Sequence, residues 1–206
     1  MGKAPKANSK DKPKGRSIDL RDDPNHWLAL GEFIEEFAGV EAVILHLLIH
    51  YAGIPHDKGR AIFSGTRART AIDFINRLNE VDDPGKETKE LLSEIFLHLR
   101  AINDARDDLT HYSSFLTSDK GRVVSNITRA HVLRTLKERQ VDIKTINAMS
   151  ADLRKIGTHL SLIPALPRAS RAEREKEVPA AAVPWQYKLP SQPAAGKGKG
   201  QDTRQK

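Results

Sequence analysis

Arg106, Asp107 and His111 fall within six residues of one another, with Asn103 three residues before Arg106. Arginine is permanently charged and presents a planar fork to phosphate or carboxylate oxygens. Histidine, with an unperturbed pKa of about 6.5, takes up and releases a proton near neutrality. Together these two groups suit cleavage of a phosphodiester without a metal. The imidazole removes a proton from an attacking hydroxyl, and the guanidinium neutralises the charge that builds on the five-coordinate phosphorus. Asn103, Asp107 and His111 recur every four residues, so a helix places them in one row, with Asp107 one turn from His111 and in reach of its ring. Arg106 and His111 are five residues apart, about 140° around an ideal helix. They meet if the helix unwinds near Thr110, or if a second protomer brings its own pair alongside.

Arg106 also stands where an apolar residue is expected. In the helical segment that carries it, Leu92, Ile95, Leu99, Ile102 and Leu109 form the apolar stripe, and position 106 falls on it. A second charge breaks the first segment's stripe, where Glu41 sits between Phe37 and Ile44. A charge on a core stripe is costly to desolvate unless it is paired or lies at an opening. Two accounts fit. In one, Arg106 and Glu41 pair across the helices and fix their register. In the other, Arg106 faces a cleft that receives an anion, and Glu41 orients the guanidinium.

The elements that position these residues read as helices almost throughout. Trp27, Leu30, Ile34, Phe37, Ile44, Leu48 and Tyr51 follow alternating three- and four-residue steps, and Phe33, Val40 and Leu47 widen the face. Gly53 and Pro55 close this first helix. A second segment starts near Asp57, breaks around Ser64 and Gly65, and resumes with Ala68, Ala71, Ile72, Ile75 and Leu78. The Asp82-Asp83-Pro84-Gly85 turn leads into a third helix from about Lys86 to the Arg106–His111 region. After a turn at 117–121, residues 123–127 suit a short strand, while 129–140 fit strand and helix equally. A last helix begins at Asp142, a good N-cap, and Pro164 and Pro167 stop it. The expected fold class is all-α: an up-and-down four-helix bundle, with a short insertion, a candidate β-hairpin, between the third and fourth helices.

The chain has 206 residues, 38% hydrophobic and only 5% aromatic, a length that suits one domain with tails. The net charge of +7 is unevenly placed. Residues 1–17 carry a net +5, residues 168–206 another +5, and the stretch between them −3. Residues 1–17 and 167–206, rich in Lys, Gly, Pro, Ser and Ala, lack periodic apolar positions and are expected to be disordered basic tails around a domain over 18–166. Such tails attract polyanions in a salt-dependent way, or simply keep the protein dissolved. Trp185 and Tyr187 are the aromatic exceptions in the second tail, suited to docking on the body or stacking on a base. The absence of cysteine excludes a disulfide framework, a thiolate nucleophile and a zinc ribbon, and points to a cytoplasmic location. The most apolar stretch, 42–48, is interrupted by His46 and far short of a membrane span, so no membrane association is expected.

The Arg106-Asp107-Asp108-Leu109-Thr110-His111 run, at the end of the third helix and preceded by a long first helix bearing Gly39-Val40-Glu41, resembles the R-polar-x-x-x-H signature of HEPN domains. The resemblance covers roughly residues 25–163. It implies an all-α fold and a homodimer in which two R-x4-6-H motifs form one composite site. It further implies a metal-independent endoribonuclease of the kind found in toxin–antitoxin and other defence systems, with RNA as substrate and an antitoxin or regulatory partner. In that reading Arg106, His111 and Asp107 are catalytic, with Asn103 and Glu41 supporting them and no cofactor required. Some HEPN domains have lost activity and serve as modules for dimerisation, partner or nucleotide binding, which is the alternative here. Tyr112 departs from the family pattern, in which many relatives carry glycine after the histidine.

Other constellations are weaker. His46 and His50 are spaced i, i+4, but no glutamate completes an H-E-x-x-H pair, so no metal site is expected. Ser64-Gly65-Thr66-Arg67 matches no phosphate-loop fingerprint. Arg60, Arg67 and Arg69 around that break are candidates for RNA contact, or a solvated helix face.

Overall fold

The computed structural model of the chain describes residues 23–117, 121–127, 130, 135–166 and 169–190. The described part is mostly helical, with six α-helices and one small antiparallel sheet. Helix α1, Pro24–Tyr51, starts where Asp23 accepts a hydrogen bond from the His26 N–H and Pro24 occupies the first turn. It ends at Ala52, before Gly53 at φ 63°. A short helix α2, His56–Phe63, then folds back across the end of α1. Gly59 permits that crossing, because a Cβ there would lie 2.6 Å from a methyl of Ile49. Helix α3 runs over Ala68–Asp82 and α4 over Lys86–His111. The turn between them uses Asp83 at φ 40° and Gly85 at φ 86°. The break at Ser64 and Gly65, the turn at 82–85 and the end of the third long helix thus fall where the sequence places them.

Strands β1 (Ser113–Thr117), β2 (Gly121–Ser125) and β3 (Glu138–Gln140) form an antiparallel sheet in that order, with Phe115 opposite Val123 and Val124 opposite Arg139. The insertion therefore contains the expected hairpin and one further strand. Within the ambiguous stretch 129–140, residues 138–140 form a strand, and residues 129 and 131–134 lie outside the described residues; Ile127 lies beyond β2 and is exposed. Helix α5, Ile143–Ala165, is capped by Asp142, which accepts from the Thr145 N–H. Pro164 lies inside this helix rather than stopping it. One residue from the end, its missing N–H removes only a single helical hydrogen bond.

Helix α1 packs on α5 and α3, and α4 packs on α5, α3 and β2. The core between them holds Phe33, Phe37, Val40, Ile44, Leu47 and Leu48 of α1 with Ile72, Ile95, Leu99, Ile102, Leu153, Ile156 and Leu160. Fully burying one such aliphatic side chain stabilises the fold by about 1.5–3 kcal/mol. The α1 face is rotated from the expected stripe. The Phe33–Val40–Leu47 row is its centre, while Trp27 is 46% exposed and Ile34 is 38% exposed. Both rows lie at helical spacing, and only tertiary packing decides which faces inward.

The C-terminal segment overturns one expectation. Residues 169–190 are not a disordered tail but fold onto the body, as helix α6 (Arg171–Glu177), a 3₁₀ turn (Pro179–Ala182) and an extended strap through Trp185 and Tyr187. Ser170 and Glu173 form a reciprocal capping box at the start of α6. The segment has too few apolar residues for a core of its own, but it borrows one, with Ala181 and Tyr187 buried against the helices. The basic segment 1–17 lies outside the described residues, as does the tail from 191 onward. No single described helix is long and apolar enough to cross a membrane.

Candidate functional site

Arg106 projects from the last turns of α4 toward α1, where the core stripe opens to solvent. Its guanidinium carbon sits 4.6 Å from the centre of the Phe37 ring. Nη1 donates to Asp107 Oδ1 at 2.8 Å, and Nη2 lies 3.6 Å from Glu41 Oε1. The Arg106 side chain is 23% exposed and that of Glu41 36% exposed. The two charges that break the apolar stripes therefore do face each other, yet neither is sealed inside. An aromatic face, one short bond and one longer ion pair hold the guanidinium in a single orientation at the edge of the core, with part of its surface open to water.

Asp107 is engaged differently from the sequence expectation. Its carboxylate takes hydrogen bonds from Arg106 and, at 3.5 Å, from Asn103 Nδ2. Among the described residues no hydrogen bond joins it to His111, so Asp107 positions the arginine rather than the imidazole. Asn103, Arg106 and Asp107 form one connected group, and Glu41 adjoins it from α1.

His111 is the last residue of α4 and is exposed. The helix stays regular up to it: Thr110 Oγ1 donates to the Arg106 carbonyl, and the Tyr112 N–H bonds the Asp108 carbonyl. Unwinding near Thr110 therefore does not bring the ring to Arg106. Within one chain the two groups stay on different faces of the same helix.

Of the arginines expected to contact RNA, Arg69 shares a small cleft of about 110 Å3 between α3 and α4 with Arg100 and Asn103. Arg100 is tied to Asp73 at 2.8 Å. Arg60 on α2 and Arg67 at the start of α3 are exposed. His46 lies beside His56, ring centres 5.3 Å apart, and His50 lies beside Tyr51. No group of three or more metal-ligating side chains occurs among the described residues.

A second polar cluster escaped the sequence reading. Asp152, Lys155 and His159 occupy one face of α5 and are almost wholly buried, as is His98 of α4. The C-terminal strap covers them and bonds all but His98, while Nδ1 of His98 and of His159 has no hydrogen-bond partner among the described residues. Asp152 accepts the backbone N–H groups of Gln186 and Tyr187 at 2.8 and 2.9 Å. Lys155 Nζ donates to the Val183 carbonyl, and His159 Nε2 donates to the Ala181 carbonyl. Trp185 stacks on His98 with ring centres 3.9 Å apart, lies under Lys155, and donates its indole N–H to Glu94. Burial holds the pKa of both His98 and His159 below the ordinary histidine value; the Lys155 charge adds to this at both, while Asp152 and Glu94 oppose it at His98. Burial opposes ionisation of Glu94 most strongly, yet hydrogen bonds from Trp185 and Arg171 bring its pKa below the usual carboxylate value. One signal was legible: Asp152, Lys155 and His159 shadow the apolar Leu153, Ile156 and Leu160 one residue ahead, a polar row too close to the core to face water.

Comparisons of the chain with family models, with curated proteins and with solved structures returned no match.

Proposed function

We propose that this chain is a HEPN-like, metal-independent endoribonuclease that works as a homodimer, its long helices α1, α3, α4 and α5 acting as an up-and-down four-helix bundle. The observation that carries the reading is the state of Arg106. A buried structural arginine has its donors enclosed, whereas this one is oriented by Phe37, Glu41 and Asp107 and keeps open surface beside the helix that ends in His111. Preorganised charge of this kind stabilises a transition state without reorganising during the reaction. In the proposed reaction His111 takes the proton of an RNA 2′-hydroxyl, whose oxygen attacks the neighbouring phosphorus. The P–O5′ bond breaks, and the departing oxygen receives a proton. Arg106 binds the non-bridging oxygens as their charge grows. Asp107 and Glu41 hold Arg106, and Asn103 holds Asp107. The regular helix separates Arg106 from His111, so each composite site draws them from two copies. The expected biological setting is that of a toxin or defence effector controlled by a partner protein.

The test is cleavage of a structured RNA by the full chain in the presence of a chelator. His111→Ala is expected to lower the rate by at least about 100-fold, the usual scale for acid–base groups, and Arg106→Ala to lower it comparably. Unchanged cleavage by His111→Ala removes that residue from the reaction.

A second reading has one observation in its favour. The Asp107 carboxylate is engaged by Arg106 and Asn103 rather than by His111. That arrangement also suits a catalytically inactive helical module in which Arg106 and Glu41 set helix packing. RNA binding without cleavage, together with loss of fold in Arg106→Ala, selects this reading.

A further inference from the structure

A cavity of about 870 Å3 lies on the other flank of the α4 terminus from the Asn103–Asp107 row. Its size falls in the range of small-molecule sites, roughly 300–1,000 Å3. Leu109 and Tyr112 of α4, Ala148 and Met149 of α5, and Val124 and Val141 of the sheet region give it an apolar floor. Lys137, Arg139, Lys144 and Lys188 bring four cations to its lining, against the carboxylates of Asp108 and Glu138. Asp108 is already engaged, since Arg139 Nε donates to it at 2.9 Å. Arg139 Nη1 donates to the Tyr187 hydroxyl at 3.0 Å. Two different elements thus fix one guanidinium in the wall of an apolar cavity, and its Nη2 has no hydrogen-bond partner among the described residues. The docked strap completes the enclosure with Gln186 and Tyr187.

We propose that this cavity binds a small amphipathic anion: an apolar body seated on Leu109, Tyr112, Ala148 and Met149, with a carboxylate or phosphate head held by Arg139 and the flanking lysines. A neutral molecule of the same shape leaves the cations without a counter-charge, and a bare anion leaves the floor uncovered. A fixed guanidinium favours a planar or tetrahedral oxyanion that accepts more than one of its N–H groups. The site is independent of the ribonuclease reading, because it uses none of Arg106, Asp107 or His111.

The test is calorimetric titration of the full chain with octanoate, octyl phosphate, octanol and inorganic phosphate. Saturable one-site binding of either amphipathic anion is expected. Octanol and inorganic phosphate should each bind at least about tenfold more weakly, the scale of one charge-assisted hydrogen bond or a few buried methylenes. Ala148→Trp, which fills the floor from a partly exposed position, should abolish binding. Lys144→Glu and Lys188→Glu change exposed residues, keep the proposal testable if Ala148→Trp fails to fold, and should each weaken binding several-fold. Octanol binding as tightly as octanoate, no saturable binding by any of the four, or wild-type affinity in all three variants overturns the proposal.

Discussion

Two polar groups interrupt the apolar interior of this protein, and the chain treats them in opposite ways. Beneath the C-terminal strap, Asp152, Lys155, His98 and His159 are covered by residues 181–187, and Asp152 is only 1% exposed. At the α1–α4 edge, Arg106 and Glu41 share a longer ion pair and both retain contact with water. The strap cluster is covered by the chain itself. The Arg106 cluster is oriented but open. Buried polar groups completed internally fix a structure, whereas a rigid charge left at a surface is available to a substrate.

The strongest way to break the closed cluster is Asp152→Ala. It removes the acceptor for two strap N–H groups and leaves those amides buried without a partner. A loss of about 3 kcal/mol in unfolding free energy is expected, the scale for breaking a buried charged network. Denaturant midpoints measure it, and protease sensitivity between residues 178 and 190 should rise in parallel. Trp185→Ala should act the same way through lost stacking on His98, at about half that size. RNA cleavage by both variants should stay close to that of the parent under conditions where they remain folded, since neither touches the Arg106 edge.

Acid is a gentler probe of the same cluster. His98 and His159 have folded-state pKa values held below 6.5 by burial, so the unfolded chain binds more protons below that pH. The stability they contribute is complete above about pH 6.5 and is lost as the pH falls through their folded-state values. Among their neighbours, Asp152 and Glu94 favour the charged His98, while the Lys155 charge opposes protonation of both rings. The melting temperature should therefore drop between pH 7 and pH 5, with Trp185 fluorescence reporting the strap. A melting temperature that rises with acid contradicts this placement of the two histidines.

The smallest expected effect sharpens the open side. Glu41→Gln removes the 3.6 Å partner of Arg106. Because the pair is partly exposed, the change should cost no more than about 1 kcal/mol of stability. A loss of about 3–5 kcal/mol, the scale for breaking a buried pair, would contradict the partial exposure of these two side chains.

How much of this was legible in the sequence differs by element. The long helices were, because Ile95, Leu99 and Ile102, like Ile146, Leu153 and Leu160, recur at helical spacing, and Asp142 and Gly85 mark boundaries that backbone geometry requires. The pairing of Arg106 with Glu41 was also legible, since each interrupted a stripe. The inward face of α1 was not, because its two apolar rows differ by one residue and only the packing of α5 selects between them. The strap was missed because its order comes from groups distant in sequence: Trp185 is held by Glu94 and His98, and Tyr187 by Asp152 and Arg139. The bond from Asp107 to Arg106 rather than to His111 was likewise beyond the motif, which gives spacing but not rotamer.

Assembly of the composite site from two copies is the central claim, and a mixing experiment tests it most directly. Arg106→Ala and His111→Ala proteins, each inactive, are unfolded together, refolded and assayed for RNA cleavage in chelator. If the composite site takes the arginine of each working pair from one copy and the histidine from the other, the mixed dimers, about half of the population, keep one of their two arginine–histidine pairs intact, and activity returns to roughly a quarter of the parent. A mixture that forms dimers yet stays as inactive as either variant alone contradicts the account.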